Sequence, residues 1–322
     1  MPKIVISGAS GDVGRRVTRE LLDHHELEEL RLVTRSPAKL AGTVPASVRV
    51  FEGDYNRPDL LENAYRGADV LLLISGTAIT QRVEEHRRAI AAAKAAGIKT
   101  IVYTSYVGIH PQNPNLAAID HRGTERDLML SGIPYVILRD ATYAEMAYEI
   151  CVAPALQSGR WITVKGEGRL ALVAKADVVR CLARCLVDHS FHAGAVYEIS
   201  GAELMTFAQM AQLAMEVFDA HFEVLEITPE QRLAYWDSLG VPRDRSGAPA
   251  HANAEWLASD ELVSGERAMA EFGYQGVLSD HVWFITGRRP TPLREVWAGI
   301  ARNLDAKSLL AEISQRRPAA QP

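Results

Sequence analysis

The most constraining stretch of the chain is its first one. Residues 3–7 read KIVIS, a short run rich in β-branched residues, and Gly8-Ala-Ser-Gly-Asp-Val-Gly14 follows at once. The next segment, DVGRRVTRELLDHH (12–25), places Val13, Val17, Leu21 and Leu22 at helical spacing. A strand, a glycine turn and a helix in this order predict the opening of a βαβ unit. Glycines at positions 8, 11 and 14 let the backbone turn tightly and approach a phosphate closely. The N-terminus of the helix supplies free N–H donors and the positive end of its dipole. Gly8, Ser10, Gly11, Asp12, Val13 and Gly14 are therefore the expected pyrophosphate cradle of a dinucleotide.

The alternation continues. Strands are expected at 30–34, 48–54, 68–75, 99–105 and 133–139, and helices from Pro58 to before Gly67, at 82–97 and at 121–132. The near-continuous apolar run ADVLLLIS (68–75) suits a strand buried on both faces. The expected fold class is α/β: a Rossmann-type doubly wound parallel sheet with a small C-terminal α+β lobe. Residues 1–150 are expected to form the NAD(P)-binding domain, with 170–201 adding a helix and a strand to it, and 151–322 mainly a substrate-binding lobe. Later, 206–218 and 293–304 read as helices, 240–256 as a mobile loop rich in Pro, Gly, Ala and His, and 316–322 as a frayed end.

The end of the second strand decides the cofactor. A site for NAD usually carries an acid there to accept from the ribose 2′-hydroxyl. This chain has Thr34-Arg35-Ser36-Pro37-Ala38-Lys39, two cations and no acid. A guanidinium pairs well with a 2′-phosphate, so NADP(H) is expected in preference to NAD(H). The alternative is that Arg35 and Lys39 are ordinary solvated charges. By position, Asp54 is expected to accept from the adenine amino group, and Ser75 and Gly76 to lie against the adenosine ribose.

Composition excludes several function classes. A net charge of −5 argues against a nucleic-acid partner, and the absence of an 18-residue apolar run argues against a membrane span. The N-terminus does not read as a signal peptide. Three cysteines make no disulfide framework. Cys181 and Cys185, four apart on an expected helix, lack further ligands for a metal and read as small buried residues. A reducing cytoplasm fits these features. A homodimer through the helix at 82–97 or the C-terminal helix is left open.

The catalytic pair usual for this fold is missing. Ser105 supplies the hydroxyl expected at the end of the fifth strand. The Tyr-x-x-x-Lys that normally follows is replaced by Ala117-Ala-Ile-Asp-His121. The chain resembles the NmrA-like family of atypical short-chain dehydrogenases, and within it the bacterial NAD(P)H:quinone oxidoreductase and triphenylmethane reductase group. The resemblance rests on SGASGDVG (7–14), TRSPAKL (34–40), Gly53-Asp54, YTSYVG (103–108), His121 with Glu125, and SGIPYVILRDATYAE (131–145). AKADVV (174–179), YEISG (197–201) and GRRPTPLREV (287–296) are weaker echoes.

The resemblance implies a Rossmann domain with a substrate cleft beside a smaller lobe, and His121 near the nicotinamide ribose. It implies reduction of quinones, dyes or related conjugated acceptors, or dinucleotide binding without turnover. The expected function is NADPH-dependent hydride transfer to a quinone-like or other conjugated small molecule. The alternatives are a non-catalytic redox sensor, and a reductase or epimerase of a larger metabolite. His121, Ser105 and Tyr143 are the candidate catalytic groups. Tyr106, Tyr143, Met146 and Trp161 are expected to line the acceptor pocket. The group usually has Asn-Gly-Trp-Tyr after the strand-six Arg, where this chain has Asp140-Ala-Thr-Tyr143.

Overall fold

The computed structural model describes residues 1–76, 79–244 and 258–304. The chain runs through β1 (Lys3–Ser7), α1 (Asp12–His24), β2 (Glu29–Thr34), β3 (Arg49–Glu52), α2 (Pro58–Tyr65), β4 (Val70–Leu73), α3 (Arg82–Ala95), β5 (Thr100–Tyr106), α4 (Leu116–Ser131) and β6 (Tyr135–Asp140). It then forms α5 (Ala144–Ala147), a π-helical turn (Tyr148–Val152), α6 (Ala153–Ser158), β7 (Arg160–Val164), β8 (Arg169–Leu170), α7 (Lys175–Val187), α8 (His189–His192) and β9 (Val196–Ile199). The last part comprises β10 (Met205–Thr206), α9 (Phe207–Val217), β11 (Glu223–Ile227), α10 (Pro229–Ser238), α11 (Ser259–Ala270), α12 (His281–Thr286) and α13 (Leu293–Asn303).

Seven strands make one parallel sheet in the order β3-β2-β1-β4-β5-β6-β9. Chain order reverses between β1 and β4, and in such sheets the ligand crevice lies there, beyond the strands' C-terminal ends. Side chains alternate across the sheet. Ile4, Ile6, Leu32, Leu72 and Leu138 pack with Val17 and Leu21 of α1 and Val178 and Leu182 of α7. Val5, Leu71, Leu73, Tyr103 and Ile137 pack with Leu61 of α2, Ile90 of α3 and Leu128 of α4. Both faces are covered, which is why the strands read as apolar runs. Cys181 and Cys185 are buried in the first of these cores.

A third core joins α5, α6, α9 and α13 around β7, with Trp161 and Trp297 fully buried. Trp297 Nε1 donates to the Ala144 carbonyl at 2.9 Å and ties the last helix to the chain leaving β6. β7 pairs in parallel with β11, and β8 antiparallel with β10.

The strands expected at 48–54 and 68–75 are shorter, Arg49–Glu52 and Val70–Leu73, and the largest difference is at α4. α4 begins at Leu116, ahead of the predicted start at His121, because the Asn115 side chain accepts from the Ala117 N–H and caps the helix there. His121 thus sits inside the helix. Most of the segment expected as a mobile loop, from residue 245 on, and the end expected to fray lie outside the described residues. No described helix is long and apolar enough to cross a membrane.

Candidate active site

The glycine loop forms a tight cradle at the C-terminal edge of the sheet. Gly8 has φ +83°, and its N–H and that of Ala9 both donate to the Val33 carbonyl at 3.1 Å. Gly14 lies so close to the loop that a Cβ there would stand 2.6 Å from the Gly8 oxygen. Gly11 caps α1 without any side-chain hydrogen bond, so no protein side chain takes the first N–H groups of the helix at that cap. Ser10 Oγ lies 2.7 Å from Thr34 Oγ1, which joins the loop to the end of β2. Arg35 and Lys39 are exposed beyond it and form no ion pair among the described residues.

Other expected cofactor residues gather along the same edge. Val13 packs on the core below the loop. Asp54 Oδ1 accepts from the Asn56 N–H at 2.9 Å in a turn after β3. After β4, the Ser75 N–H donates to Thr104 Oγ1 at 2.8 Å and the Gly76 N–H to His86 Nε2 at 3.2 Å. Burial pushes the His86 imidazole down to about 3, so its accepting Nε2 leaves the proton on Nδ1, which faces Thr124. Asp12 is held between Arg16 at 2.8 Å and Lys175 at 3.0 Å. Lys175 is a cation beside the loop that sequence reasoning missed. Its place at the start of α7, 163 residues from its partner, is visible only in the fold.

The three candidate catalytic groups part company. His121 Nδ1 meets the Tyr103 hydroxyl at 2.7 Å, and its ring stacks on Tyr106 with centroids 6.0 Å apart and planes at 15°. Burial first, then the Arg82 guanidinium, holds this imidazole well below its ordinary range, so it is neutral. The Tyr103 phenol also meets the Thr124 and Ser75 hydroxyls, and it is read as the donor to His121 Nδ1. Nε2 of His121 then carries the imidazole proton. Ser105 is different: its hydroxyl donates to Glu125 at 2.6 Å, and Glu125 is gripped by Arg139 at 2.9 and 2.7 Å. Arg139 also reaches Glu198 at 2.9 Å, so Ser105 belongs to a polar staple joining β5, α4, β6 and β9. Tyr143 turns toward the phosphate loop. Its hydroxyl donates to Asp140 at 2.9 Å, and the Lys175 ammonium lies 5.9 Å from its ring centre.

A cavity of about 160 Å3 opens on the other side of Tyr106. Tyr106, Met146 and Trp161 line it, among the residues expected to, and Tyr143 does not. Its remaining wall is mainly apolar, from Leu170, Leu172, Phe207 and Met269. Tyr106 Oη accepts from Asn115 Nδ2 at 3.2 Å and from Gln275 Nε2, while Thr142 Oγ1 donates to Gln275 Oε1 at 2.9 Å. Burial pushes the Cys151 thiol up to about 12, so it is neutral in the wall. Glu266 at the far side is taken up by Arg232 at 2.9 and 2.8 Å. A larger open groove of about 400 Å3, between Gln209 and Arg294, holds none of the expected site residues.

The family described as NAD(P)H-binding matches residues 8–189, the span that carries the glycine loop, both sheet faces and His121. The chain belongs to the NAD(P)H-binding family. That membership agrees with the NmrA-like resemblance read from the motifs. Quinone oxidoreductase 2 of Escherichia coli (strain K12) is 36% identical over 240 residues, covering 74% of this chain and 82% of that protein. The crystal structure of the Escherichia coli NADPH-dependent quinone oxidoreductase with NADPH superposes with a TM-score of 0.78 at 29% identity, covering 92% of this chain and 99% of that one. Triphenylmethane reductase of Citrobacter sp., solved with NADP(H), gives 0.76 at 25% identity, covering 93% and 99%.

This NAD(P)H-binding protein carries an unusual acid as the last residue of β6. Asp140 is buried, its Oδ1 has no hydrogen-bond partner among the described residues, and burial pushes its carboxyl up to about 8. In the unfolded chain the same group ionises near 3.9. Between these values the folded state holds a proton that the unfolded state releases, so stability falls as pH rises from about 4 toward 8. Asp140→Asn keeps an acceptor for Tyr143 and removes the titration. It should raise the unfolding temperature at pH 8 and change it little at pH 4, in thermal melts at the two pH values. Equal effects at both would mean that the Asp140 carboxyl ionises normally in the fold.

Proposed function

We propose that this NAD(P)H-dependent oxidoreductase takes NADPH in preference to NADH and passes hydride to a quinone-like or other conjugated small molecule held in the cavity behind Tyr106. The observation that carries the reading is the position of Tyr106. One face of its ring lies on His121 at the dinucleotide edge, and its side chain also lines the apolar cavity. A dinucleotide fits the residues present: a Cβ-intolerant loop, a helix N-terminus with no side-chain cap, and two cations, without an ion pair among the described residues, where a 2′-phosphate would lie.

Within this reading, residues 1–150 with 170–201 hold the dinucleotide and the rest of the chain shapes the acceptor site. The Gly11 N–H is taken by the Gly8 carbonyl at 3.1 Å, so the backbone N–H groups of Asp12 and Val13 face the pyrophosphate, and Ser10, Arg35 and Lys39 face the 2′-phosphate. Asp54 accepts from the adenine, Ser75 and Gly76 border the adenosine ribose, and His121 Nε2–H donates toward the nicotinamide ribose. The bound cofactor supplies the hydride. The protein's part is to align the acceptor and exclude water.

A quinone also needs a proton on oxygen. Ser105 and Tyr143 have committed theirs to Glu125 and Asp140. Burial holds the Tyr106 phenol above its ordinary range, and the two N–H bonds accepted by Oη offset part of that cost once the oxygen gives up its proton. Tyr106 is therefore the proton donor in this reading, a role for which sequence position alone had offered only a pocket wall. Tyr106→Phe should lower kcat for a quinone by about a hundredfold and leave the Kd for NADPH unchanged. An unchanged kcat would move the proton to water or His121. The sensor alternative is less favoured because an apolar cavity adjoins the dinucleotide edge.

A further inference from the structure

We infer that the aromatic face formed by α8 and α12 docks a second copy of this chain, with α12 antiparallel to its twin across a two-fold axis at Phe284. α12 turns Val282 and Ile285 into the core and leaves Trp283 and Phe284 outside, 56% and 55% exposed. Phe191 on α8 is 76% exposed. Buried rings join these side chains into one surface. The Tyr197 ring of β9 lies 6.0 Å from that of Phe284 and 5.6 Å from that of His192, and the His192 ring lies 5.0 Å from that of Phe191, all between centres. Tyr197 and His192 are themselves buried, so the exposed rings stand on a packed base. None of the three exposed rings lines the acceptor cavity.

Area and charge both point to a second copy. An aromatic side chain buries about 150–250 Å2, so the three exposed rings offer roughly 300–450 Å2 of apolar surface. A standard interface takes about 800 Å2 from each partner, a little over half of it apolar, so these rings supply most of the apolar centre. The charges are arranged for self-pairing. Asp280 stands four residues before Phe284 and Arg288 four residues after it, both exposed and without an ion pair among the described residues. An antiparallel contact centred on Phe284 lays Asp280 of each copy against Arg288 of the other, twice by symmetry. An acid at one end also disfavours an anionic lipid surface, which attracts bases alone. The open edge of β9 is not the attachment. Ser279 Oγ donates to the Glu198 carbonyl and the Glu198 N–H donates to His281 Nδ1 at 3.0 Å, so that stretch is already taken. Neither α3 nor α13, the helices the sequence left open for a dimer, exposes a large apolar side chain.

Sedimentation equilibrium of the full chain at micromolar concentrations tests the inference. Wild type should sediment at twice the chain mass. The double variant Trp283→Ser with Phe284→Ser should sediment at the chain mass and keep its Kd for NADPH. Two charge variants test the register. Asp280→Arg and Arg288→Asp should each weaken the dimer about tenfold, because like charges then face each other at both ends. Mixed in equal amounts, these two variants should pair as tightly as wild type, since each supplies the charge the other lacks. The inference is overturned if wild type is a monomer, if the double serine variant stays a dimer, or if mixing the charge variants restores nothing. A monomeric wild type that binds phosphatidylcholine–phosphatidylglycerol vesicles through these rings would make the face a lipid-binding one and overturn it too.

Discussion

Gly14→Ala weakens NADPH binding by about two orders of magnitude. The added Cβ would lie 2.6 Å from the Gly8 oxygen, 2.7 Å from Ala9 Cα and 2.8 Å from the Ala9 oxygen. All three are backbone atoms of the loop proposed to cradle the dinucleotide, so no side chain can swing aside. Either the loop opens or α1 backs away from it, and both spoil the aim of the α1 N–H groups at a pyrophosphate. Overpacking of this kind costs about 1–3 kcal/mol, and every 1.4 kcal/mol is a factor of ten in affinity. Fluorescence titration with NADPH measures the effect, and far-ultraviolet circular dichroism checks that the variant is folded. A folded variant that binds NADPH as wild type does would place the dinucleotide elsewhere.

The second large effect lies at the far side of the acceptor cavity. Glu266→Ala leaves Arg232 buried at 3% exposure with no counter-charge. The guanidinium sits 4.7 Å from the Trp236 ring centre and 5.3 Å from that of Tyr235, and these faces do not replace a carboxylate. Breaking one side of a buried pair costs about 3–5 kcal/mol. The unfolding temperature should fall on the order of 10 °C. The pair joins α10 to α11, so quinone turnover should suffer more than NADPH binding. Replacing both partners by apolar residues, Arg232→Met with Glu266→Leu, should recover most of the lost stability, because it removes the stranded charge as well as the attraction. A single variant as stable as wild type would mean that water reaches Arg232 freely.

The sheet was readable in the sequence because its strands are buried on both faces and stand out as apolar runs between glycine-closed helices. The second lobe was not. β11 is Glu-Val-Leu-Glu-Ile, mostly solvent-facing, and its partner β7 is far away in sequence, so neither periodicity nor a turn marks the pair. The same distinction divides the site. The glycine loop and the Arg35–Lys39 end of β2 are local, and local chemistry reveals them. Ser105 lies near the end of β5 as expected, whereas Tyr143 leaves the cavity wall for the phosphate loop, and their partners Glu125 and Asp140, which decide where their protons go, are set by packing. The proposal of Tyr106 as proton donor rests on Asn115 and Gln275, the latter 169 residues away, which converge on its oxygen only in the fold. The start of α4 was legible at Asn115, whose capping chemistry precedes the helix, but the run of residues after His121 drew the boundary too late.

The most direct measurement is the loss of absorbance at the reduced-nicotinamide band when wild-type protein, preloaded with NADPH or with NADH, is mixed with 1,4-benzoquinone. Protein-dependent oxidation of NADPH, with hydroquinone formed in equal amount and NADH used less well, is the predicted result. Tight NADPH binding with no protein-dependent oxidation by benzoquinone or any other conjugated acceptor would contradict the account and leave a dinucleotide-binding protein without turnover.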